Sequence, residues 1–114
     1  MDGLLSGIRV ADFSWALAGP FCSEMMALMG CEVIKIESRK RVDVMRRVSS
    51  VLGHGEEPDL DKSVEFNVVN LNKKSLCLDL GHPDGIAVAK KLISISDVVL
   101  ESKQELIFRP SLRG

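Results

Sequence analysis

Residues 7–37, GIRVADFSWALAGPFCSEMMALMGCEVIKIE, constrain this chain more than any other stretch. Ile8, Val10 and Phe13 form an apolar run of strand length. Ala18-Gly19-Pro20 supplies a turn, with Pro20 where a first-turn proline can start a helix. Phe21, Met25, Leu28 and Met29 then recur at helical spacing, and Gly30 follows as a helix C-cap. Val33, Ile34 and Ile36 are β-branched and suit a buried parallel strand. Strand, helix and strand in this length make the smallest βαβ unit, expected to be right-handed.

A second unit follows after a break. Residues 38–63 are polar, contain Gly53, Gly55 and Pro58, and pass from basic to acidic, so they read as a long loop with a short helix over 44–52. Long irregular loops in compact domains are usually functional or disordered. Val64 to Val69 suits a short strand or a helical turn, and Asn70 to Lys74 a polar turn. From Ser75 to Leu80 the residues alternate, with Leu76, Leu78 and Leu80 on one face. Gly81 to Gly85 punctuates the chain. A helix starts near Pro83 or Asp84, where an acidic residue suits the positive helix end, and Ile86, Val88, Ala89, Leu92 and Ile93 mark its buried stripe. Asp97 to Glu101 reads as another short buried strand. Two βαβ units predict an α/β fold: a Rossmann-like open, mostly parallel sheet with flanking helices. Such a sheet normally continues, so 1–114 is expected to be the incomplete N-terminal part of a larger fold.

Composition narrows the class. A chain of 114 residues is one domain or part of one, and a compact domain of this size buries roughly two-thirds of its unfolded surface. Apolar residues at 46% and charged residues at 27% match an ordinary globular protein. The net charge of −1 offers no whole-chain attraction to nucleic acid or anionic membrane. The start of the chain does not read as a secretory signal, and no apolar run approaches the roughly 20 residues of a membrane span. Cys22, Cys31 and Cys77 are odd in number and widely spaced, and they read as buried reduced thiols of a cytoplasmic protein. No CxxC pair is present, and only His54 and His82 could join the cysteines, so no metal site is expected.

Ligands of open α/β sheets bind outside the carboxyl ends of the strands, which points to Ser14–Pro20, Glu37–Arg41 and Leu80–Asp84. The first turn has a single Gly19 and no GxGxxG, so a dinucleotide fingerprint is absent. Arg39, Lys40, Arg41, Arg46 and Arg47 cluster within nine positions and read either as a phosphate-binding set or as a solvated face. Lys73 and Lys74 carry the same two readings. Asp12 stands among apolar residues and must be hydrogen-bonded or paired if buried, which favours a structural acceptor. No paired carboxylates, Ser-His-Asp set or Cys-His pair emerges from spacing. The residues alone reach a nucleotide- or cofactor-binding half-domain.

Taken together, residues 7–37, NVVNLNKKSLCLDL and HPDGIAVAKKLISISDVVLE resemble the N-terminal part of family III CoA-transferases. That family includes formyl-CoA and carnitine-type CoA-transferases and the related α-methylacyl-CoA racemases. The motifs AGP, EVIKIE, NLNKKS and LDL stand in the family's order and spacing across residues 4–101. The resemblance implies that CoA is moved between small carboxylic acids through an aspartyl-CoA intermediate, in a cytoplasmic homodimer of interlocked subunits. The aspartate nucleophile is implied to lie outside this chain, which leaves the 114 residues inactive alone; Asp12 and Asp43 are not that residue. The alternatives are an acyl-CoA racemase fragment or a catalytically dead CoA-binding remnant. By resemblance Ala16, Leu17 and Ala18 contact CoA in the first turn, Arg39 meets its phosphates, and Leu78 and Asp79 line the adenosine pocket. Ser38, Gly81 and Ser102-Lys103 depart from the pattern, with Phe108-Arg109-Pro110 a displaced remainder of its last element.

Overall fold

The computed structural model describes residues 3–47, 60–61 and 63–102. Four strands, β1 (Arg9–Phe13), β2 (Glu32–Glu37), β3 (Lys74–Cys77) and β4 (Val98–Glu101), form one sheet in the order β3-β2-β1-β4. Every pairing is parallel, and the register sets Val10 beside Val33 and Val98, and Asp12 beside Lys35 and Leu100. The helices are α1 (Ala18–Leu28), α2 (Val64–Val68) and α3 (Pro83–Ser94), with a 3-10 turn at Val44–Arg46. The expected α/β architecture, a parallel sheet with flanking helices, is therefore the observed one.

Local chemistry explains the boundaries. Gly30 takes a φ of 109° just past the end of α1, the left-handed conformation that a helix C-terminus favours and glycine adopts without a Cβ clash. In α3, Pro83 occupies the first turn, His82 Nδ1 accepts from the Asp84 amide at 3.1 Å, and Asp84 faces the positive helix end. Ser63 caps α2 by accepting from the Phe66 amide, which makes Val64–Val68 helical where composition left strand and helix open. β3 stops at Cys77 rather than Leu80, because its neighbour β2 runs out at Glu37; one further bond, Leu78 N–H to Glu37 O at 2.8 Å, extends the pairing. Of the helix expected over 44–52, Val44–Arg46 forms the 3-10 turn, and residues 48–52 lie outside the described residues, as does Phe108-Arg109-Pro110.

The core lies on both faces of the sheet. On one, Ala11, Phe13 and Ile36 pack against Ala89 and Leu92 of α3, with Leu76, Leu78, Leu80 and Ile93 around them. On the other, Val10 and Val33 pack against Ala27 and Cys31. Leu5 joins that second cluster, whereas Leu4 is 85% exposed.

Three expectations are corrected. The apolar periodicity of α1 locates the helix but not its buried face: Pro20, Ser23, Glu24 and Ala27 are buried, whereas Phe21, Met25, Leu28 and Met29 are exposed. Small residues let α1 lie close to the strands, and polar ones meet the charges on them. Val88 is likewise exposed rather than part of the α3 stripe. Of the cysteines only Cys31 is buried; Cys22 and Cys77 are exposed, because they fall on the outer faces of α1 and the edge strand β3. Burial, with Asp97 nearby, pushes the Cys31 thiol up and keeps it protonated.

Candidate functional site

The carboxyl edge of the sheet collects the candidate residues. In the order β3-β2-β1-β4 the chain reverses direction across the sheet between β1 and β4, so the turn after β1 stands at the switch point where such folds bind ligands. That turn, Ser14 to Leu17, leads directly into α1. Ala16 holds a φ of 69°, an uncommon conformation for a residue with a Cβ. Gly19 closes the turn from the helix side, because a Cβ there would stand 2.2 Å from Ser14 Cβ.

Below the turn the α1 face of the sheet changes from apolar to ionic. Val10 and Val33 are followed, two residues on, by Asp12 and Lys35, both fully buried. Asp12 Oδ1 accepts from the Ser14 amide at 2.9 Å and from the Ser14 hydroxyl. Its Oδ2 accepts from Ser23 Oγ and from Lys73 Nζ at 3.2 Å. Lys73 uses its other donors on Pro20 O at 3.0 Å and Asn70 Oδ1 at 2.7 Å, which satisfies all three. Burial pulls the Lys73 ammonium below the usual lysine range, and the Asp12 carboxylate opposes that fall. Lys35 Nζ donates to Ser14 O at 2.9 Å and pairs with Asp43 Oδ2 at 3.1 Å. Asp43 Oδ1 accepts from the Met45 amide at 3.0 Å and from the Ala16 amide at 3.3 Å. Two lysines and two aspartates thus surround the turn. Phe66 of α2 covers Lys35, with Nζ 5.6 Å from the ring centroid.

The residues anticipated in the sequence take different places. Ala16 is half-buried and its amide is engaged by Asp43, while Leu17 and Ala18 are exposed. No side chain caps α1, so its first amides lack a side-chain acceptor. Arg39 lies past the end of β2, exposed and with no ion-pair partner among the described residues. Lys40 beside it pairs with Asp79 at 2.8 Å, across from β2 to the exit of β3. Asp79 also accepts from the Gly81 amide at 3.0 Å, and these two bonds hold its carboxyl below the usual range. The Leu78 side chain packs into the α3-side core, so it meets the edge through its backbone. Ser38 Oγ accepts from the amides of Lys40 and Arg41 at 3.2 Å and shapes the loop that carries Arg39.

The basic cluster divides. Arg46 is structural: it donates to both oxygens of Glu37 at 3.2 and 3.0 Å, and its guanidinium lies 3.7 Å from the Phe66 centroid. Arg39 and Arg41 remain at the surface. Lys73 and Lys74 also differ, the first 2% exposed in its side chain and the second 71%. Neither reading of Lys73, phosphate-binding or solvated, anticipates a buried partner of Asp12; Lys35 is no candidate on sequence, and Asp43 is named there only as not the nucleophile. One signal was present: Asp12 needed a hydrogen-bonding or charged partner if buried, and Lys35 sits in the equally apolar run EVIKIE.

Comparison with known proteins agrees with this fold. The family model described as CoA-transferase family III matches residues 5–107. The β subunit of succinyl-CoA–L-malate CoA-transferase from Chloroflexus aurantiacus is 35% identical over 96% of this chain and 26% of its own length. Formyl-CoA:oxalate CoA-transferase of Rhodopseudomonas palustris is 36% identical over 90% of this chain and 23% of its own length. A crystal structure of a CAIB/BAIF family protein from Brucella suis superposes with a TM-score of 0.74 at 27% identity, over 89% of this chain and 26% of that one. The chain therefore spans about a quarter of the length of these relatives. With a match across 5–107 and the fold in agreement, this chain belongs to CoA-transferase family III.

Proposed function

We propose that these residues form the CoA-binding edge of a subunit that moves CoA between small carboxylic acids. The observation that supports this reading is the convergence, on neighbouring strand exits, of the Ala16–Ala18 turn, an uncapped helix start and Arg39, exposed and without an ion-pair partner among the described residues. CoA is a polyanion with a long neutral arm. The residues fit it: Arg39 offers a forked donor for a phosphate, and the first amides of α1 favour negative charge. Leu17 and Ala18 offer exposed apolar contact for the neutral arm. Asp79 has both oxygens engaged, so its part is to anchor Lys40 and hold the β2 and β3 exits together, with Leu78 backing the adenosine side. In this reading the transfer runs through an aspartyl-CoA intermediate. Its aspartate belongs to protein outside these 114 residues, in an interlocked homodimer of cytoplasmic subunits. This chain binds and orients CoA but does not turn it over alone.

Titration calorimetry of the purified chain with CoA tests the reading. Binding is expected in the millimolar range or tighter, and Arg39→Ala is expected to weaken it by roughly ten- to a hundredfold, the value of a hydrogen bond to a charged group. No heat at millimolar CoA, or unchanged affinity in Arg39→Ala, overturns it.

A further inference from the structure

We infer that Asp12, Lys35, Asp43 and Lys73 are positioning residues: a buried four-charge clamp that holds the Ser14–Ala18 turn in its left-handed form and thereby sets ligand affinity there without touching the ligand. The inference rests on the CoA reading of that turn. A non-glycine residue persists at positive φ only where its surroundings over-determine it, and such strain gathers at ligand clamps. Here the over-determination can be traced atom by atom. The backbone carbonyl of Ser14 is taken by Lys35 and its amide by Asp12. The amide of Ala16 is taken by Asp43, and the carbonyl of Pro20 by Lys73. Within the turn, Ser14 is therefore fixed through both backbone groups and Ala16 through its amide, and Pro20 in the first turn of α1 is fixed through its carbonyl, each by a buried charge.

The energetics point away from stability as the cluster's purpose. Buried ion pairs contribute little compared with well-packed apolar side chains, because desolvation offsets their attraction. The same strands fill the equivalent depth on the opposite face with Phe13 and Ile36. Four buried charges, every one bonded to the turn or to the helix start behind it, fit a gain in geometry. The four are mutually neutral, two positive and two negative, so the clamp adds no net charge beside an anionic ligand.

Two paired variants test the clamp in the full 114-residue chain. Asp43→Ala with Lys35→Met removes the acceptor of the Ala16 amide and its counter-charge together. Asp12→Ala with Lys73→Met does the same for Ser14 and Pro20, and stands in if the first pair does not fold. Amide hydrogen exchange by NMR is expected to accelerate at least about tenfold at Ser14 and Ala16, with Val10 and Val33 unchanged. CoA affinity is expected to fall about tenfold, as the competent turn becomes a minority conformer. Asp43→Asn with Lys35→Met keeps the acceptor for the Ala16 amide without leaving a buried unpaired ammonium, and is expected to restore both to within about threefold of wild type. Exchange that rises only in step with Val10 and Val33 overturns the clamp, and so does faster turn exchange with CoA affinity unchanged. Should the wild-type chain bind no CoA, the functional reading fails, and the clamp is judged on exchange alone.

Discussion

The two faces of this sheet are built from the same two strands and end differently. Towards α3, Ala11, Phe13, Ile34 and Ile36 keep β1 and β2 apolar to the carboxyl edge. Towards α1, Val10 and Val33 give way to Asp12 and Lys35 at the depth where the opposite face carries Phe13 and Ile36. The helices follow suit: α3 buries Ala89 and Leu92, whereas α1 buries Ser23 and Glu24 with Ala27 and leaves Phe21, Met25 and Leu28 outside. A parallel sheet is normally apolar on both faces. The asymmetry here separates two tasks, one face supplying hydrophobic stability and the other fixing the turn at the switch point.

That comparison can be broken from either side. The largest effect is expected at Phe13, 2% exposed on the α3 face. Phe13→Ala should cost about 3–5 kcal/mol in urea denaturation. Against a typical domain stability of about 5–15 kcal/mol, such a loss leaves the fold marginal, while residual folded protein keeps the exchange pattern of Ser14 and Ala16. A smaller stability loss, about 1–3 kcal/mol, is expected from Gly19→Ala, whose Cβ would overlap Ser14. This variant should nevertheless lower CoA affinity more than any equally destabilising change on the α3 face. Equal affinity losses from matched variants on the two faces would remove the division of tasks. The smallest effect belongs to the exposed Lys40–Asp79 pair. Because the Asp79 carboxyl titrates lower in the folded chain than in the unfolded one, its contribution is present at neutral pH and lost as pH falls through the depressed value. NMR titration should find that midpoint below the ordinary carboxylate range, and Lys40→Ala should raise it part of the way back, the Gly81 amide still holding it down, with no measurable change in urea midpoint.

Local pattern made most of the elements legible. The β-branched run Val33, Ile34 and Ile36 marks β2, and Pro83 with Asp84 marks the start of α3. Leu76, Leu78 and Leu80 do share one packed face. The buried face of α1 was not legible, because periodicity reports where apolar residues recur and not which side the sheet presents. The candidate edge was located by rule and by resemblance, but its interior was hidden. Lys73 lies 61 positions from Asp12, and nothing local distinguishes it from its solvated neighbour Lys74.

By itself, then, the sequence determined the α/β class, the two βαβ units, the family and the need of Asp12 for a partner. Those depend on short-range propensity, on alternation and on motif order, all written along the chain. Tertiary structure alone decided which cation meets Asp12, which arginine is tied up by Glu37 and Phe66, and how Ala16 is held at positive φ. These outcomes depend on which distant charges are buried together, and burial is a property of the packed sheet and its loops rather than of any residue's neighbours in sequence.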